Sequence, residues 1–237
     1  MFRTSLLLLT LWGGGEAVAD PVLRTFGAYG LPTGWYGETV ETEFGSLVRS
    51  GPGYGINVLV AAQPRERLQV GALASYHRFL TENPFDYRDY DSLINFLITI
   101  EGTVKSDDRF LYLGPFVGVN VIPGLSSGLW LWGSLGAAQF REETEIEMTA
   151  TGTGVTSLLG YRFPTTVSFD DRERSAFASD WRLAFRGGVT LDLWITSGIS
   201  LHPTVAYFVF PKGEDLKERL TFWETSLGLG FRFVPAR

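Results

Sequence analysis

Hydrophobic and polar residues alternate one by one in many segments of this chain, each about ten residues long. The final segment shows the pattern most clearly. From Trp223 to Phe233 one set of alternate positions reads Trp, Thr, Leu, Leu, Phe and Phe, and the other reads Glu, Ser, Gly, Gly and Arg. Such alternation is typical of a β-strand whose two faces meet different surroundings. The pattern predicts an all-β protein and leaves open which face points outward.

Nine segments follow this pattern or a weaker form of it. They span 22–31, 54–63, 68–79, 93–104, 109–121, 128–140, 181–195, 199–210 and 222–233. Bacterial single-chain barrels have an even number of strands, so we expect one more strand within 144–169. We therefore favour an antiparallel up-and-down transmembrane β-barrel of ten strands. Eight strands are the alternative, in which 122–140 forms a loop or a strand extension.

The N-terminal segment indicates which way the apolar faces point. Arg3 precedes an apolar run at 6–12, and Ala17 and Ala19 form an Ala-x-Ala cleavage site. These features predict a secretory signal peptide over 1–19, cleaved after Ala19, since the run is too short to cross a bilayer as a helix. In an exported barrel the apolar faces meet lipid and the polar faces line the lumen. Residues 20–237 are thus predicted to form an outer-membrane β-barrel.

Composition narrows the possible functions. The chain has no Cys, which excludes disulfides, thiol catalysis and Cys-based metal sites. Its net charge of −6 argues against a nucleic-acid partner, which would require a basic patch. The acidic residues of segment 81–92 lack the spacing of a calcium-binding loop. We therefore expect no metal and no cofactor.

Loop length predicts the orientation, because the short turns of such barrels face the periplasm and the long loops face the outside of the cell. The predicted periplasmic turns are 64–67, 105–108 and 196–198. The predicted extracellular loops are 38–50, 80–91, part of 150–180 and 211–218.

The polar faces would place a balanced set of charges in the lumen. Charges inside a barrel wall are costly unless they are hydrated or paired. Three acids match three arginines, which favours a salt-bridged plug over an ion-selective pore. The predicted lumen network consists of Glu101, Arg182, Arg186, Asp192, His202, Glu224 and Arg232.

Turn geometry predicts which of these charges meet. A three-residue turn at 196–198, with Gly198 in the left-handed position, places Asp192 opposite His202. Directly opposite residues have Cβ atoms about 5 Å apart, close enough for a hydrogen bond. The same turn geometry, applied to the loop 211–217, places Glu224 level with small residues. The Arg186 side chain can then reach Glu224 across them.

The signal peptide, the alternating strands and the final "LGLGFRF" resemble the small outer-membrane β-barrel families of Gram-negative bacteria. The stretch 93–121 resembles the strand–turn–strand unit of OmpW-like and OmpA-like barrels, with Tyr112, Gly114 and Gly118 on its second strand. The resemblance implies outer-membrane lipid, lipopolysaccharide and the barrel-assembly machinery as partners, and it leaves the oligomeric state open. These families end on an aromatic residue that the machinery reads. Here four residues follow Phe233, so the assembly signal is expected at Phe231 or Phe233.

Three functions are compatible with these features. The first is a structural role or passive permeation of small solutes through a narrow, charge-lined lumen. The second is a surface-binding or adhesive barrel that acts through its extracellular loops. The third is an outer-membrane lipid hydrolase.

The hydrolase hypothesis depends on Ser75 and His77, which share one strand face. Nearby acids in 86–91 could orient the imidazole, as the third member of a triad does. The lipid A deacylase motif is His-x-Ser, which is reversed here, and the Asp-x-His pair of omptin-type proteases does not occur. We therefore expect a barrel without enzymatic activity and keep this pair as the weak catalytic candidate.

Overall fold

The computed structural model describes residues 20–42, 45–65, 67–91, 96–122, 127–158, 161–214, 216 and 218–232. The predicted signal peptide and Phe233 lie outside these residues. Strands dominate, and a short 3₁₀ helix covers Gly34–Gly37. Within the described ranges, no helix is long and apolar enough to cross a membrane. The strands are β1 (Asp20–Thr33), β2 (Thr39–Thr42), β3 (Gly45–Val48), β4 (Gly53–Arg65), β5 (Leu68–Asp91), β6 (Phe96–Asn120), β7 (Ser127–Leu158), β8 (Tyr161–Ala178), β9 (Arg182–Trp194), β10 (Ile199–Phe210) and β11 (Leu220–Arg232).

The sheet closes on itself. Its nine strands pair in the order β6-β5-β4-β1-β11-β10-β9-β7-β8, and β6 also pairs with β7. Every pairing is antiparallel, and the first and last strands meet with Val22 opposite Arg232. Closure removes the open edges of the ring, so its backbone groups bond to neighbouring strands. The prediction of an all-β antiparallel barrel is confirmed.

Eight of the nine strands complete the ring, whereas the sequence favoured ten. The segment 105–108 is not a periplasmic turn, because β6 runs straight through it. Lys105 is paired with Glu82 on β5 and with Glu145 on β7. The extra strand expected within 144–169 falls on the upper half of β7 and on β8. Among the described residues β8 pairs with β7 alone, outside the ring. The segment 128–140 is part of a ring strand and not a loop.

The apolar faces point outward. On β11, Trp223, Leu227 and Leu229 are 49%, 56% and 45% exposed, whereas Glu224 is 1% exposed. The same alternation recurs on β6, where Leu113 is 58% exposed. Together these side chains form an apolar belt around the ring. A polar interior beneath an apolar exterior is the arrangement of a transmembrane β-barrel.

Four neighbouring strands extend far beyond the belt. β5, β6 and β7 contain 24, 25 and 32 residues, and β8 adds 18, whereas a strand needs about 9–11 residues to cross a bilayer. Residues 80–91, 96–107, 141–158 and 161–178 form a four-stranded extension, here called the projecting sheet. The predicted loops at 80–91 and within 150–180 are therefore strands, because their polar residues pair across the sheet.

Aromatic side chains fill the upper half of the lumen, a feature that the alternation did not predict. Phe79, Phe110 and Phe222 are at most 1% exposed and pack edge-to-face or tilted at centroid distances of 4.9–5.8 Å. Tyr36 of the 3₁₀ helix covers them, and its hydroxyl donates to Asp108 Oδ2 at 2.8 Å. The mouth of the barrel is thus closed by ring packing and a buried hydrogen bond.

Candidate functional site

The first buried ion network lies below the aromatic cluster, near the middle of the lumen. Arg186 on β9 forms an ion pair with Glu224 on β11. It also donates to Asn57 Oδ1 at 3.0 Å and to the Ser75 hydroxyl. Asn57 Nδ2 in turn donates to Glu224 Oε1 at 2.7 Å, and His77 Nε2 lies 3.1 Å from Glu224 Oε2. All five side chains are at most 3% exposed, so the charges are paired where water cannot screen them.

Small residues make this network possible, as the sequence predicted. Glu224 is paired with Ala206, and Ala206 is paired with Gly188. A Cβ at Gly188 would lie 2.9 Å from the Ala206 Cβ. The missing side-chain volume leaves Arg186 free to cross the sheet surface and reach the carboxylate.

The second network lies nearer the short-turn end of the barrel. Arg24 Nη2 donates to Asp192 Oδ2 at 2.7 Å, and Asp192 Oδ1 contacts His202 Nδ1. His202 Nε2 is 2.7 Å from the Ser200 hydroxyl. The Asp192–His202 contact is the predicted pair, although Gly198 does not adopt the left-handed conformation on which that prediction was based. A Cβ at Gly230 would lie 2.0 Å from His202 Nε2, so only glycine leaves room for the imidazole there.

In the second network Asp192, His202 and Ser200 contact one another in the same spatial order as the Asp, His and Ser of a hydrolase triad. A nucleophilic serine must meet the substrate carbonyl, and Ser200 and His202 are both 0% exposed. The geometry therefore fixes the imidazole between a carboxylate and a hydroxyl, and it gives a substrate no access to the serine. We interpret the set as packing and pairing inside the lumen wall.

The structure engages both residues of the weak catalytic pair in the first ion network, each with a different partner. Ser75 accepts a hydrogen bond from Arg186, and His77 faces Glu224. Both are buried in the lumen and not at the outer rim. Asp86 and Asp89 lie on the projecting part of β5, and Asp91 ends that strand. His77 is therefore oriented by Glu224 and not by Asp86 or Asp89, and the side chain of Asp91 lies outside the described ones.

The other predicted lumen charges lie elsewhere. Glu101 is exposed on the projecting sheet, opposite Asp86 and Thr149. Its placement in the lumen was wrong, because the continuation of β6 through 105–108 lifts it beyond the belt. Arg182 lies near the mouth, with its guanidinium 5.9 Å from the centroid of the Phe210 ring.

Arg232 lies at the opposite end of the barrel. Its Nη2 donates to Gln63 Oε1 at 2.9 Å, and its guanidinium is 4.5 Å from the centroid of the Trp194 ring. Phe231 is paired with Leu23 and Ile199 on the lipid-facing side. Its role as an assembly signal stays a prediction.

Sequence reasoning missed Arg24, which is 1% exposed and holds Asp192. Its strand also carries Val22 and Phe26 on the lumen side. Inward apolar residues obscured the alternation there. Arg24 could have been found from the rule that a charge in a barrel wall needs a partner.

Little space remains between the two networks. A cavity of about 20 Å³ lies there, bordered by Arg24, Asn57, Arg186 and Glu224 among others. One water molecule needs about 10–15 Å³ of such volume. The lumen at this level has room for roughly one water and not for a column of them.

The outward side of the projecting sheet carries a ladder of ion pairs. Lys105 Nζ lies 2.8 Å from Glu147 Oε2, and Arg174 Nε lies 2.8 Å from Glu145 Oε1. The Arg174 guanidinium, helped by Arg172, lowers the pKa of Glu145. The ammonium of Lys105 likewise lowers the pKa of Glu147. These charges would be expensive in hydrocarbon, so the sheet stands outside the bilayer.

A closed antiparallel ring, an exposed apolar belt and a filled polar lumen define a transmembrane β-barrel. No protein-family model and no curated protein matches the sequence.

The solved structures that resemble this one are outer-membrane β-barrels, and no single protein is a close match. Neisserial surface protein A is 11% identical, with 90% of this chain and 97% of that chain covered and a TM-score of 0.49. Ail of Yersinia pestis, solved with the heparin analogue sucrose octasulfate, is 13% identical over 91% and 99% of the two chains, with a TM-score of 0.44. OprG of Pseudomonas aeruginosa is 9% identical over 92% and 98%, with a TM-score of 0.36.

Proposed function

We propose that this chain is an integral outer-membrane barrel with a closed lumen, and that it acts by binding a partner through its projecting sheet. One observation carries the proposal. The lumen is filled by two ion networks and an aromatic cluster, while four strands continue as an ordered sheet beyond the bilayer. An ordered sheet outside the membrane, above a filled lumen, favours surface binding over permeation.

The orientation follows from the two ends of the barrel. The β9–β10 connection is short, and Ile195 and Thr196 both bond back to Ile199. The ends of the described chain meet near the same end, where β1 pairs with β11. In outer-membrane barrels the short turns and the termini face the periplasm. The projecting sheet then lies outside the cell, and lipid and lipopolysaccharide surround the belt.

Binding is preferred to catalysis because the candidate nucleophiles are buried. Ser75 and Ser200 are 3% and 0% exposed, and both are engaged with charged or imidazole groups. A lipid substrate approaching from the bilayer would meet the apolar belt and not these hydroxyls.

Cysteine labelling on intact cells tests the location. The chain has no native Cys, so a single introduced thiol is a clean reporter. Ser168→Cys lies on exposed β8, and Ser197→Cys lies in the exposed β9–β10 turn. A membrane-impermeant maleimide should label Ser168→Cys on intact cells and Ser197→Cys only after the outer membrane is permeabilised. The reverse result, or equal labelling of both on intact cells, would overturn the proposal.

A further inference from the structure

The projecting sheet has two chemically different faces. Its outer face continues the lipid-facing side of the barrel, and its inner face continues the lumen side above the mouth. Pairing fixes the assignment: Lys105, Glu145 and Arg174 share the outer face, whereas Val104, Ile146 and Glu173 share the inner one. The two faces can therefore be compared row by row.

The outer face carries charges of both signs, with acids in excess. It carries the basic residues of the sheet whose side chains are described, interleaved with acids. The ion pairs include Arg88–Asp86, Lys105–Glu147, Arg172–Glu145 and Arg174–Glu145. Basic side chains are thus present on this face and are paired there with neighbouring acids.

The inner face is apolar along its middle. Phe85 lies across Gly102, where an added Cβ would come within 2.5 Å of the ring. Above it follow Ile100 and Ile98 on β6, and Phe169 is 62% exposed on β8. These side chains form an apolar stripe, which is exposed to water at its upper end and along β8.

The only charges among the described side chains of the inner face are acidic. Asp89 lies on β5, at one edge of the stripe, and Asp171 and Glu173 lie on β8, at the other. Glu142 stands at the lower end, near the barrel mouth. In the part of the chain that the structure describes, none of these four carboxylates takes part in an ion pair. An apolar stripe between two acidic edges thus has no internal counter-charge.

We infer that this inner face binds a cationic amphipathic helix. The apolar side of the helix packs on the stripe, and its Lys or Arg side chains reach the acids at both edges. The inner face is wide enough to hold a helix. Its four strands span about 14 Å, and a helix with its side chains is about 10–12 Å across. A second copy of this chain is disfavoured, because it would set acid against acid. The inference rests on the proposed function, which places the sheet outside the cell.

The test uses the full-length protein in nanodiscs of zwitterionic phospholipid. The probe is a dye-labelled helix of about 18 residues, long enough to span about 27 Å, with Leu on one side and Lys on the other. Its control replaces every Lys by Glu. Fluorescence anisotropy should report binding of the Lys peptide, weakened by salt, and no binding of the Glu peptide.

Matched variants locate the site. Asp171→Asn with Glu173→Gln removes two inner-face charges and should weaken binding about fivefold to tenfold. Asp170→Asn with Glu101→Gln removes two exposed outer-face charges and should change affinity by less than about twofold. Phe169→Ser should weaken binding by about tenfold or more, whereas Val155→Ser, on the outer face and 41% exposed, should not.

Two failures can be told apart. If Ser168→Cys is labelled on intact cells but the Lys and Glu peptides bind alike, or the inner and outer variants lose affinity alike, the helix-binding inference is wrong and the proposed location stands. If Ser168→Cys is not labelled on intact cells, the proposed function itself is wrong.

Discussion

At the scale of single residues, the lumen depends on where side chains are missing. Gly230 lies where a Cβ would meet both His202 and Ser200, and Gly188 lies where one would meet Ala206. Neither requirement reflects backbone conformation; each reflects the volume of a buried neighbour across the sheet. The sequence showed these glycines as small lumen residues, but the neighbours that need the space were visible only after folding.

Gly230→Ala should destabilise the barrel by about 1–3 kcal/mol, because the added methyl overpacks a closed site. Gly27→Ala is the matched control, since nothing lies within 4 Å of its added Cβ. Urea-induced unfolding of the refolded proteins in detergent would measure both. Equal stability of the two variants would contradict the packing described at His202.

Glu224→Ala should cost about 3–5 kcal/mol, since it leaves the Arg186 guanidinium buried without its counter-charge. The double variant Arg186→Met with Glu224→Leu removes both charges and should recover most of that loss. The free energies of unfolding of the two variants test the claim. A double variant no more stable than Glu224→Ala would show that the pair is not the origin of the loss.

At the scale of elements, the sequence predicted the ring strands well and the projecting sheet poorly. Alternation sufficed for β11, whose outward Trp223 and inward Glu224 are as predicted. The polar run 105–108 has the composition of a turn, yet cross-strand partners such as Glu82 and Glu145 hold it as strand. Long-range pairing of this kind leaves no signal in local composition. The wrong assignment of 105–108 as a turn also placed Glu101 wrongly in the lumen.

The ring should fold without its projecting sheet. A variant joins 81 to 106 and 142 to 177 through Asn-Gly turns, which suit directly paired residues; both pairs face each other in the sheet. The ring contacts and both ion networks are retained. The variant should keep the heat-modifiable migration of a folded barrel in gel electrophoresis. Loss of that migration would show that the projecting sheet is needed for closure.

At the scale of the whole molecule, charge is distributed by compartment. The buried arginines Arg24 and Arg186 are paired with acids inside the lumen, and buried Asp108 accepts hydrogen bonds from Tyr36 and Ser106. The belt is apolar, and many exposed charges lie on the projecting sheet. Sequence reasoning predicted a plug from the balance of three acids and three arginines, although Glu101 lies outside the lumen. The turn geometry predicted the contacts Asp192–His202 and Arg186–Glu224, which the structure contains. It did not predict the aromatic seal at Phe110 and Phe222, because inward aromatics break the polar side of the alternation.

The most direct test of a closed lumen is conductance. The refolded wild-type protein, inserted into a planar lipid bilayer in concentrated potassium chloride, should give no single-channel current steps, because the aromatic cluster and the two ion networks leave about 20 Å³ between them. Insertion should be verified in the same preparation by resistance of the belt strands to protease. Steady, reproducible current steps from inserted protein would contradict the closed lumen.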